Sequence, residues 1–93
     1  GAMEKGDLQS AKEGFLKVLS YNNSHVQANG NLGLCFALSG EKALALEYLD
    51  KALELDPDYK VARDNRIPIA KMKEGEKLEI PMASVNYYSD KLE

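Results

Sequence analysis

VQANGNLGLCFALSGEKALALEYLDKALELDPDY, residues 26–59, decides the fold of this 93-residue chain. Ser24 and Gln27 form an S-x-x-Q capping box at its start, which predicts a helix running to about Ser39. Gly40 ends that helix, since glycine alone enters the left-handed conformation without strain. A further helix is predicted over about 41–55, with Ala45, Leu49, Ala52 and Leu53 on one stripe. Asp56-Pro57-Asp58 is a turn that also suits the start of another helix.

Upstream, Leu8, Ala11, Phe15, Val18 and Leu19 are spaced by threes and fours, which predicts an amphipathic helix over 7–20 with Asp7 as its N-cap. Tyr21-Asn22-Asn23 breaks the pattern. Downstream, a fourth helix is predicted over about 59–73. It stops near Gly75 and is kinked or broken at Pro68, which lacks a backbone donor. Helices of this length joined by short turns favour antiparallel neighbours, so the fold class is all-α.

Sliding the chain on itself by 34 residues lays the first helix on the third: Gly6 falls on Gly40, Ala11 on Ala45, Glu13 on Glu47, Phe15 on Leu49, Lys17 on Lys51 and Leu19 on Leu53. Two helices per 34-residue period is the signature of a solenoid whose units stack because none buries its apolar face alone. Leu32-Gly33, Phe36, Ala45, Leu49, Ala52 and Pro57 stand at the offsets of the tetratricopeptide repeat, and residues 26–59 resemble one complete unit of that family. Asn29 stands where the family often has Trp, and Leu49 where it often has Phe. The resemblance implies antiparallel hairpins stacked as a short α-solenoid, with a preceding half-repeat and a following capping helix. Gly33 and Ala45 are the small residues that let two helices cross closely.

The resemblance also implies a concave groove that binds a protein or peptide without catalysis. On the complete repeat its lining positions are Gln27, Gly30, Asn31, Leu34, Ala37 and Leu38. Asn31 stands where chaperone-binding members hold a ligand carboxylate. The basic partners they need are out of register, with Val61 and Asn65 in their places, so Asn31 is expected to be a general polar groove residue. Lys60, Arg63 and Arg66 lie nearby as basic contacts. The alternative reading is an oligomerisation or structural segment of a larger protein.

The remaining chemistry is sparse. There is no phosphate-binding glycine loop, dinucleotide fingerprint, zinc-protease motif or calcium loop. His25, beside Ser24, is expected to be a surface or capping residue. Cys35 is expected to be a buried apolar thiol, with no base or helix N-terminus to activate it. Glu41, Glu47, Asp50 and Glu54 read as a solvated face. No catalytic residue, cofactor or metal site is therefore expected. The net charge of −3 gives no reason to expect a nucleic-acid partner, and no apolar run is long enough to span a membrane. A single cysteine and the lack of a signal-peptide pattern lead to a cytoplasmic expectation.

Gly1-Ala2-Met3 reads as the remnant of a cleaved expression tag, leaving a helical domain over 4–75 and a tail over 76–93. In the tail, Leu78, Ile80 and Met82 alternate with Glu79 and Pro81. Val85, Tyr88 and Leu92 then fall at helical spacing. The tail is expected to dock, either on its own repeats or on another copy with Gly75 and Glu76 as a hinge. Leu8, Phe15 and Leu19 are expected to lack the partner a complete repeat supplies. A homodimer through the first helix or the tail follows.

Overall fold

The computed structural model describes residues 8–79. They form four helices, α1 (Leu8–Tyr21), α2 (Val26–Leu38), α3 (Lys42–Leu55) and α4 (Lys60–Ala70), and no strand. This is the expected all-α, tetratricopeptide-like solenoid. The proposed N-cap Asp7 and tail residues 80–93 lie outside the described residues.

α2 is central. It touches α1, α3 and α4, with α3 as its main partner, while α3 also packs on α4. Nine of its residues, from Ala28 to Cys35 and Ala37, are buried. Its buried residues fall on every side of the helix, so the other elements surround it and leave only Val26, Gln27, Phe36 and Leu38 partly exposed. Its neighbours are amphipathic and give the core Ala11 and Phe15 (α1), Ala45, Leu49 and Ala52 (α3), and Ala62 and Ile69 (α4).

Three expectations change. The α2 cap is His25, not Ser24: His25 Nδ1 accepts from the Ala28 N–H at 3.3 Å. Ser24 instead closes the preceding turn, its N–H donating to Asn22 Oδ1 at 3.1 Å. α4 ends at Ala70 rather than 73. The helix is not broken at Pro68 but runs through it, and the Lys71 N–H turns back to the Pro68 carbonyl at 3.1 Å to close the last turn tightly. Phe15 does not lack cover, since it is only 2% exposed, and Leu8 and Leu19 pack partly buried against the core. The apolar residues α1 leaves in solvent are Leu16 and Tyr21, the latter 82% exposed.

Candidate interaction surface

The α2–α3 hairpin depends on one glycine. A Cβ on Gly33 would lie 2.9 Å from Leu49 Cγ and 3.0 Å from the Ala45 carbonyl oxygen, so the helices cross where no side chain fits. Phe36 stacks on Tyr48 across the hairpin, ring centres 5.5 Å apart, and Lys12 Nζ lies 5.6 Å above the Phe36 ring. Asn29, at the position the family often fills with Trp, is fully buried. Its Nδ2 donates to the carbonyls of His25 (2.9 Å) and Asn23 (3.2 Å), so it fastens the α1–α2 turn instead of filling space.

The six expected groove residues divide. Gln27 and Leu38 are partly exposed, whereas Gly30, Asn31, Leu34 and Ala37 are buried. Gly30 is expected on the groove side, yet a Cβ there would meet Tyr59 Cε2 at 2.5 Å, because the Tyr59 ring folds across it. Burial pushes the Tyr59 phenol above its ordinary pKa of 10.0, and its hydroxyl is buried without a hydrogen-bond partner. On α4, Lys60 and Arg63 are exposed. Arg66 is committed elsewhere: its guanidinium pairs with Asp50 of α3, and that hydrogen bond raises its pKa further. Asn65 donates to the Val61 carbonyl at 2.7 Å within α4.

After α4 the chain turns back over the α2–α3 connection. Gly75, at φ +94°, donates its N–H to the Gly40 carbonyl at 3.0 Å, and Gly40 has φ +82°. The Leu78 N–H donates to the Ala37 carbonyl at 2.9 Å, and Leu78 packs against the core. Both Glu74 oxygens accept from the start of α3, from the N–H groups of Lys42 and Ala43 at 3.1 Å each. Lys42 Nζ donates to the Met72 carbonyl at 2.6 Å. Beside this segment lies an open cleft of about 520 Å³ lined by Pro68, Met72, Glu76, Lys77, Leu78 and Glu79.

The hairpin with its glycine crossing coincides with a family match: the tetratricopeptide repeat family model matches residues 26–59. Residues 26–59 are a tetratricopeptide repeat. No curated protein and no solved structure matches the chain. Tetratricopeptide repeats are in general protein–protein interaction modules and non-catalytic scaffolds.

Within the repeat, Cys35 is fully buried, and burial pushes its thiol from 9.0 to about 12, partly offset by Lys12. A thiol so far above neutral pH is protonated and a poor nucleophile. Lys12 also donates to Ser39 Oγ at 3.2 Å and lies 3.7 Å from Glu41, which ties α1 to the α2–α3 connection. The sequence reading missed two features at this site. One is Tyr59 over Gly30, which periodicity does not reveal because Tyr59 is the N-cap of α4 and precedes its apolar stripe. The other is Glu74 on the start of α3, where the only signals were the helix-ending Gly75 and the apolar Leu78.

Proposed function

We propose that the protein is a non-catalytic interaction module that presents a tetratricopeptide-type groove to a protein or peptide. The observation carrying this reading is the family match over a complete, well-packed hairpin. Gln27 and Leu38 contact the partner, with exposed Lys60 and Arg63 as basic contacts. Gly30, Asn31, Leu34 and Ala37 fix the backbone of the groove from within. Arg66 stabilises the α3–α4 contact instead. No nucleic-acid or membrane partner belongs to this reading, and the setting is cytoplasmic, which the lone buried thiol of Cys35 supports.

The test is selection of binding peptides from a displayed library, followed by titration. Saturable binding weakened about tenfold by Gln27→Ala or Arg63→Ala, the loss of about 1.4 kcal/mol, supports the reading. Binding indifferent to both substitutions counts against it.

A second reading, an assembly segment that pairs with a copy of itself, is favoured by Leu16 and Tyr21 in solvent on α1. It predicts a mass, measured by light scattering, that rises with concentration. Tyr21→Ser and Leu16→Ser should then lower it. A constant monomer mass excludes it.

A further inference from the structure

We propose that residues 71–79 form a releasable clasp over the C-terminal end of the α2 groove, pinned by Glu74. This rests on the groove reading for its purpose, but not for its mechanics.

A helix leaves its first four N–H groups and last four carbonyls without intrahelical partners. The turn between α2 and α3 therefore gathers open acceptors from one helix and open donors from the next. The residue before α3, Glu41, makes no side-chain cap. Glu74, more than thirty residues away in sequence, supplies it with a carboxylate on the Lys42 and Ala43 N–H groups, where the positive end of the helix dipole favours negative charge. At the same turn the Ala37 carbonyl accepts from both Gly40 (3.1 Å) and Leu78 (2.9 Å). The segment thus binds both sides of the connection through groups the helices leave open. A Cβ on Gly40 would approach the Gly75 carbonyl oxygen to 2.8 Å, so the two backbones meet where only glycine fits.

The clasp is also lightly anchored. Within it Met72 and Leu78 alone are partly buried, and the remaining residues are exposed. A segment of mostly exposed residues, held by a few polar bonds and two apolar contacts, belongs to the low-stability end of a protein's opening reactions. Leu78 binds at Ala37, next to Leu38, which is the end of α2 a groove partner must share. Release of the clasp opens that end. Exposed Glu74 joins the segment to α3 through two bonds, beside the single bond from Lys42 Nζ to the Met72 carbonyl.

Amide hydrogen exchange of the parent chain and of Glu74→Ala tests this without any partner. The amides of Lys42, Ala43, Gly75 and Leu78 should speed up together, about tenfold for loss of a cap of ordinary strength, while those of Leu34 and Cys35 stay protected. Trypsin cleavage after Lys73 and Lys77 should accelerate in parallel. Faster exchange at Lys42 and Ala43 alone would mean a local cap with no clasp. Loss of protection at Leu34 and Cys35 would mean that the segment is inseparable from the core. Either result overturns the proposal. Leu78→Ser, which removes the other anchor, must speed up Gly75 and Lys42 as well, and unchanged exchange there is equally fatal. Failure to find a groove peptide leaves this readout unaffected.

Discussion

Gly33 and Gly30 lie one helical turn apart in α2, and each is filled by a neighbour for a different reason. At Gly33 the obstacle is the Ala45 backbone carbonyl together with the body of Leu49, neither of which can withdraw without parting the helices. At Gly30 it is the outer edge of the Tyr59 ring, a side chain at the start of α4 whose buried hydroxyl gains water if it swings out. Replacing glycine by alanine within a helix gains about 0.5–1 kcal/mol of backbone preference. Overpacking costs about 1–3 kcal/mol. Gly33→Ala should therefore lower stability in denaturant melts, while Gly30→Ala should be close to neutral. The Tyr59→Leu change should couple to Gly30→Ala in a double-mutant cycle and leave Gly33→Ala unaffected. Equal losses at the two glycines would show that Tyr59 is as immovable as the α3 backbone.

Cys35 gives a second prediction at this scale. Its thiol is protonated and buried, so a thiol reagent at pH 8 should label the folded chain far more slowly than the denatured chain. Because burial raises the folded-state pKa from 9.0 to about 12, the thiol's contribution to stability is complete below pH 9. It is lost progressively as pH rises from there toward 12. Cys35→Ser should flatten that part of the stability profile. An identical alkaline decline in Cys35→Ser would assign it to other groups.

At the scale of elements, the helix turns carry the account. Gly40 and Gly75 both have positive φ, but the space around them differs: a Cβ on Gly40 runs into Gly75, whereas one on Gly75 meets nothing within 4 Å. Both substitutions to alanine incur the backbone strain of about 1–3 kcal/mol expected for a side chain in that region. Gly40→Ala adds a clash with the returning chain, so its thermal midpoint should fall further than that of Gly75→Ala. Equal midpoints would mean that residues 71–79 do not press on the turn.

Periodicity made the four helices legible, since stripes such as Ala45, Leu49 and Ala52 do become the buried faces. Helix ends were less so, because a cap depends on side-chain geometry that two residue types satisfy equally. Ser24 and His25 are adjacent, and the imidazole rather than the hydroxyl reaches the Ala28 N–H. The groove was the least legible feature. Lining positions taken from a family pattern assume an open concave face, and here Tyr59 closes over Gly30 while Leu78 bonds to Ala37. Both covering residues come from outside the periodic helices, where hydrophobic spacing carries no information.

For the whole molecule, the repeat over 26–59 is a buried central helix with its partner, supported on one side by α1 and on the other by α4. That arrangement gives a small chain a single core and leaves its charged residues, such as Lys60, Arg63, Glu47 and Glu54, on the outside. The central claim is that this core exists to hold an interaction surface along α2. Amide chemical-shift mapping with a library-selected peptide tests it most directly. The account predicts that saturable shifts gather at Gln27, Leu38, Lys60 and Arg63 and at the 71–79 segment. Shifts confined to Leu16 and Tyr21 of α1, with α2 and α4 silent, would contradict it.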